Sequence, residues 1–168
     1  MPVSALTVKS NGGLLRQLTS PVDIFVPNTD VNNRYNAIWD TGASGTVITQ
    51  EVVNNIGLIP TGMSMVHTAN GVAQQNTYII DIALSEGIFL RDVTVTCAAA
   101  LSGGCNVLIG MDVISLGDFS ITNKDNVTCM SFRVPSLHEI DFCKNPNLKA
   151  NSNINRGSNY TPPKKKRK

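Results

Sequence analysis

The sequence predicts a mostly β domain, and three observations carry that prediction. Valine, isoleucine and threonine recur in short runs, asparagine and glycine punctuate those runs every ten residues or so, and long helical periodicity is scarce. A chain of 168 residues favours one domain, large enough to bury roughly two-thirds of the surface its unfolded form exposes. The expected class is therefore all-β with one or two short helices.

The elements follow in order along the chain. Residues 21–27, PVDIFVP, and 34–39, RYNAIW, read as strands separated by the Asn-rich turn NTDVNN, and Asp40 ends the second. Residues 46–56, TVITQEVVNNI, place Val47, Ile48, Val52 and Ile56 on one helical face, with Gly57 as a left-handed stop. MSMVHTA, residues 63–69, meets VAQQNTYIIDIAL, residues 72–84, across Asn70-Gly71, a pair favoured in tight type I′ hairpins. From Ile88 to Cys97, Val93, Val95 and Cys97 alternate with Thr94 and Thr96, the pattern of a half-buried strand, whereas Asn106 to Gly110 reads as a fully buried one. GMDVISLG supplies one or two helical turns. Residues 118–134 form another hairpin around Asn123–Asn126, with a change of hydrophobic phase near Cys129 and Met130 that suggests a bulge. After Pro135 large apolar residues thin out to Leu137, Ile140 and Phe142, so residues 136–168 read as a flexible polar tail ending in a basic cluster.

Composition excludes several function classes. MPVSALTVKSNGG has neither the basic start nor the apolar core of a signal peptide, and no apolar run approaches the roughly 18 residues a membrane span needs. A cytoplasmic location without a membrane partner is expected. Cys97, Cys105, Cys129 and Cys143 form no CxxC pair and have no His at ligand spacing, so free thiols are expected and no metal or other cofactor. Five of the 14 basic residues are Lys164–Lys166, Arg167 and Lys168, which leaves residues 1–163 with nine basic against 12 acidic side chains, a formal charge of −3. Nucleic acid is thus not a partner for the body of the protein. The tail is a different matter: PPKKKRK resembles a nuclear import signal and also suits a solvated end or a nonspecific contact with RNA or anionic lipid.

The chemistry concentrates in residues 37–49, AIWDTGASGTVIT. An aspartate that follows Ile38 and Trp39 stands where a strand leaves a core, and an unpaired carboxylate there costs several kcal/mol unless something compensates it. Asp40 therefore either caps a turn or does chemistry. An aspartyl-phosphate enzyme needs parallel α/β architecture and further carboxylates for Mg²⁺; an actin-like ATPase needs two large lobes. A serine hydrolase elbow fails because Gly42-Ala43-Ser44-Gly45 is one residue short of G-x-S-x-G.

A second motif, Val107-Leu108-Ile109-Gly110, follows the hairpin and precedes a short helix. With this order, residues 15–135 resemble the retropepsin-like aspartic proteases, which implies a closed β-barrel or acid-protease half-lobe with a flap hairpin, occupying residues 1–135. The resemblance implies that Asp40 is the catalytic aspartate, that the Thr41 hydroxyl braces two active-site loops, and that Gly42 allows their close approach. Ala43 and Ser44 fit the retroviral form of the loop; Ala43 lacks a hydroxyl, so no catalytic hydrogen bond is assigned to it.

The chemistry itself favours a pair of carboxylates. Two that share a proton divide the roles of base towards water and acid towards the peptide, and like charges about 3 Å apart split their titrations. The sequence holds a single Asp-Thr-Gly, so an intact mechanism requires a homodimer with one Asp40 from each protomer. Val66, His67, Thr68, Ala69, Asn70, Gly71 and Val72 are the flap and substrate-binding candidates, with the tip at Asn70-Gly71. A peptide or protein substrate would enter as an added strand. Val66, Thr68, Val72, Val107 and Ile109 are candidate walls, a reading as core standing equally for each, with Gly110 closing the second motif. His67 reads as an ordinary strand residue, and Asp112 as a cap or a pair near the dimer interface. The alternative function is a non-catalytic retropepsin-fold module that binds peptides or dimerises.

Overall fold

The computed structural model describes residues 3–68, 71–85 and 87–144, without the side chains of 67 and 68. The chain divides into two units, residues 1–137 and 138–168; of the second, only 138–144 is described, where Lys144 pairs with Glu139 and Asp141. Among the described residues no helix is long and apolar enough to cross a membrane.

Among the described residues, ten strands and two short helices build the first unit. They run β1 (Ser4–Lys9), β2 (Thr19–Phe25), β3 (Asn32–Trp39), β4 (Val47–Thr49), α1 (Gln50–Ile56), β5 (Gly62–Thr68), β6 (Gly71–Ser85), β7 (Ile88–Ala98), β8 (Val107–Ile109), α2 (Met111–Ile114), β9 (Asp118–Thr122) and β10 (Cys129–Val134). The larger sheet has the order β2-β3-β8-β4-β7-β6-β5, and an additional β2–β6 pairing closes six of its strands into a barrel from which β5 extends. A smaller antiparallel sheet has the order β1-β10-β9. This is the mostly β class, with a closed barrel and short helices, that the sequence predicts.

Alternation explains the barrel. Val22, Ile24, Tyr35, Ala37, Trp39, Tyr78, Ile80, Ile82 and Val95 occupy every second position of their strands and fill the interior, as the period-2 geometry of a strand requires. Trp39 links barrel to small sheet: its ring stacks on Phe119 at 5.5 Å and lies 5.2 Å from Phe132, and its buried Nε1 donates to Ser20 Oγ at 2.9 Å, satisfying the polar end of a large apolar side chain.

Several local expectations are corrected. Residues 46–56 are not one helix: Val47, Ile48 and Thr49 form β4 between β7 and β8, and α1 begins only at Gln50. The β-branched run prefers the strand once two neighbours are there to pair with it. Gly57 does end the helix in the left-handed region, with φ 69° and its N–H donated to Val53 O. The β5–β6 register runs as far as Thr68 and Gly71; the turn expected at Asn70-Gly71 involves Asn70, which with Ala69 lies outside the described residues. No bulge interrupts β9–β10, whose register runs unbroken from Cys129↔Thr122 to Arg133↔Asp118. The apparent phase change arises because Cys129 is half-buried beside the fully buried Met130. β1 has no counterpart in the sequence reading, since its half-buried Ser4, Leu6 and Val8 give only weak alternation.

Candidate active site

The strand order places Asp40. β3 and β8 are parallel neighbours, pairing Ala37 with Val107, Ile38 with Leu108 and Trp39 with Ile109. Parallel strands end on the same side of a sheet, so the loop that leaves Trp39 and the one that leaves Ile109 emerge side by side. Asp40 N–H donates to Ile109 O at 3.0 Å, Met111 N–H to Ala43 O at 2.8 Å and Asp112 N–H to Ser44 O at 3.1 Å. Three backbone bonds thus stitch the two motifs together.

Small residues are required where the loops cross. A Cβ on Gly110 would lie 2.5 Å from the carbonyl carbon and oxygen of Gly45, and one on Gly42 would stand 3.1 Å from Asp40 Oδ1. Gly110 therefore serves the close approach of two backbones, a role only glycine fills.

Thr46 and Asp112 lock this crossing. Asp112 Oδ2 accepts the Thr46 N–H at 2.9 Å, and its Oδ1 accepts both the Thr46 hydroxyl at 2.8 Å and the Val113 N–H at 3.0 Å. The Thr46 oxygen in turn accepts the Gly110 N–H at 3.2 Å, and Thr46 is only 1% exposed. Asp112 thus braces its own chain's loop, where the sequence reading has it capping or pairing near a dimer interface. Thr46 escaped that reading, because nothing marks one threonine in a small-residue turn as the partner of a carboxylate 66 positions away.

Asp40 itself is half-buried at the loop. Its Oδ1 accepts the Gly42 N–H at 2.8 Å. Thr41 and Gly42 are exposed and Ala43 is half-buried; no hydrogen bond to the Thr41 hydroxyl occurs among the described residues. An open groove of about 450 Å³ lies between this loop and the β5–β6 hairpin, lined on one side by residues 42–47 and on the other by Ser64, Met65, Val66, Thr94 and Thr96.

The remaining candidates divide. Val66 is half-buried and lines the groove. His67 and Thr68 belong to β5, their side chains outside the described set, and Val72 pairs with His67, one position out of phase with Val66. Paired residues share a face and adjacent ones do not, so Val72 stands on the opposite side of the hairpin from Val66, where it is exposed. Val107 and Ile109 are fully buried in the barrel core and are not walls. Leu108 between them is half-buried and pairs with Val47, a groove residue, so the outward side chain of the second motif is Leu108. Among the described residues no group of three His, Cys, Asp or Glu side chains converges to hold a metal ion.

The family described as gag-polyprotein putative aspartyl protease matches residues 28–116, just over half of the chain, and the chain belongs to that family. Among solved structures, the chain is similar to a retropepsin-like aspartic protease from Rickettsia conorii, at 14% identity over 80% of this chain and 97% of that one, with a TM-score of 0.49. It is also similar to the retroviral protease-like domain of Ddi1 from Leishmania major, at 20% identity over 76% and 99% and a TM-score of 0.45. A third similarity is to EIAV protease in complex with the inhibitor HBY-793, at 17% identity over 61% and 88% and a TM-score of 0.47. Among curated protein sequences none matches the chain.

Proposed function

We propose that the chain is an aspartic endopeptidase that works as a homodimer, one Asp40 coming from each copy. The observation that carries the reading is the Asp40 loop: a carboxylate at the end of a core strand, one oxygen held by the Gly42 N–H, standing beside an open groove. The other carboxylate near the loop, Asp112, is committed to Thr46 and Val113, so a second acid has to be supplied by a second chain. The exposed Thr41 hydroxyl is available to brace the partner's loop. Two Asp40 side chains about 3 Å apart hold one proton between them. The ionised oxygen takes a proton from water as that water attacks the scissile carbonyl, and the protonated one donates to the leaving amine. The β5–β6 hairpin acts as the flap, closing over an extended peptide and excluding bulk water.

Subunit mixing tests this. Asp40→Asn keeps the shape of the side chain but cannot accept the water's proton, so the variant folds and does not cleave peptides. With free exchange, an equimolar mixture of wild-type and Asp40→Asn chains retains about a quarter of its dimers in the active form, the square of the wild-type fraction, as closed two-fold pairing requires. A mixture that keeps half its rate, or an Asp40→Asn chain that still cleaves, refutes the shared dyad.

A further inference from the structure

The outer face of the barrel carries a second, acidic pocket. It measures about 380 Å³ and is lined by the turn from Asn28 to Asp30, by Asp81 of β6 and by Phe89, Arg91 and Asp92 of β7. The turn precedes Asn32, at the opposite end of β3 from Asp40. Three carboxylates against one guanidinium leave the lining with a formal charge of −2. Asp81 sets this pocket apart from an ordinary acidic surface. Ile80 and Ile82 on either side of it are fully buried in the barrel, so alternation turns Asp81 outward, yet it is only 9% exposed. Its Oδ1 accepts the Asp92 N–H at 2.8 Å, while Oδ2 accepts no hydrogen bond from a described residue. Among the described residues no lysine or arginine forms an ion pair with Asp30, Asp81 or Asp92. Arg91, on the same lining, instead lies over the Phe89 ring, 5.8 Å from its centroid. A carboxylate so nearly desolvated is costly unless a cation or several donors compensate it, and the fold supplies a single N–H.

From this we infer that the pocket is a docking site for a lysine or arginine side chain carried by a basic segment of a partner protein. The cationic head donates to Asp81 Oδ2, with Asp92 and Asp30 at the rim completing its neutralisation. The aliphatic stem of the same side chain covers Phe89, which is 47% exposed, as long cationic side chains commonly cover apolar surface. A metal ion is a poorer occupant, because among the described residues no three carboxylates converge as ligands; a charge on a long stem reaches acids that a bare ion cannot bridge. Residues 1–163 carry nine basic against 12 acidic side chains, so the field around the body favours the approach of a basic partner. The site uses no residue of the Asp40 loop and stands independently of the catalysis proposed above.

The test titrates the full chain against a fluorescein-labelled peptide, Gly-Ser-Arg-Lys-Arg-Ser-Gly, and against its counterpart with three glutamines in the centre, following anisotropy at low salt. The basic peptide binds at least about tenfold more tightly than the neutral one, and its affinity falls as salt screens the charges. Asp81→Asn, which keeps an oxygen for the Asp92 N–H, weakens binding about tenfold, and Asp30→Asn, on the exposed turn, about threefold. Asp125→Asn removes the same charge from an exposed site outside the pocket and leaves the affinity unchanged. Should Asp81→Asn fail to fold in a thermal melt, Asp30→Asn against Asp125→Asn decides. Equal affinity for the two peptides, or equal weakening by the Asp30 and Asp125 variants, overturns the site. Binding that appears only after Lys164–Lys166, Arg167 and Lys168 are changed to glutamine gives the pocket to a basic segment of this protein itself and overturns the external partner.

Discussion

Replacing Asp112 by alanine measures the lock between the two motifs. The carboxylate accepts three hydrogen bonds, two of them from Thr46, whose N–H and hydroxyl are buried. Leaving a buried donor unsatisfied costs about 1–3 kcal/mol, so two orphaned Thr46 donors would cost about 4 kcal/mol if the site stayed dry. Asp112 is exposed, however, and water can enter the space its side chain vacates and recover about half of that loss. Asp112→Ala should therefore lower the unfolding free energy by about 2 kcal/mol, and Asp112→Asn, which keeps one accepting oxygen but turns an NH₂ towards a donor, by about 1 kcal/mol. Urea denaturation at fixed protein concentration reads both values; in a domain of this size the alanine variant's Tm falls by about 6 °C. Peptide cleavage should decline with the loop's order and recover in part with asparagine. A loss below about 0.5 kcal/mol for Asp112→Ala would show that the carboxylate does not hold the crossing. Full stability with complete loss of cleavage in Asp112→Asn would make it a catalytic group instead.

Other expectations follow from single contacts. Gly110→Ala forces a methyl against the Gly45 carbonyl group 2.5 Å away, so it should destabilise by about 3 kcal/mol, with Gly45→Ala, whose Cβ meets nothing within 4 Å, far milder in the same thermal melt. Hydrogen bonds from Arg34 hold the Asp23 carboxyl below its ordinary value of 3.8. The pair's contribution is therefore fully present above that value and fades as the pH falls below it towards the folded-state value; both partners being solvent-accessible, Asp23→Asn should cost under about 1 kcal/mol at neutral pH and nothing at strongly acid pH, read from denaturation midpoints at both. Burial raises the thiol pKa of Cys97 and Cys105, so iodoacetamide at neutral pH should alkylate the exposed Cys143 first and the buried Cys105 only after unfolding, with order of labelling followed by mass spectrometry.

What could be read from the sequence, and what could not, depends on how far apart the residues that decide it stand. Asp40 was legible because its signal is local: a core strand, a carboxylate and a turn of small residues are contiguous. The β5–β6 hairpin was legible for a similar reason, since its two strands flank a contiguous Asn-Gly pair and stay in register from Gly62↔Thr77 to Thr68↔Gly71. Val107-Leu108-Ile109 shows the opposite case. Three consecutive apolar residues carry no alternation, so the sequence cannot say which faces outward, and a shift of one residue exchanges core for wall. Pairing of Leu108 with Val47, 61 positions earlier, decides the matter. The same strand, β4, was hidden inside a helical pattern because Val47 and Ile48 fit a helical face as well as a strand, and only neighbours contributed by β7 and β8 favour the extended form. Thr46 and Asp112 likewise acquire their roles from partners distant in the sequence. The position of Asp40 is thus written in adjacent residues, whereas the support of its loop is written in pairings across the barrel. Substitutions at Thr46 should consequently alter loop order while leaving the Asp-Thr-Gly signature intact, which is why that signature by itself cannot report how firmly its loop is held.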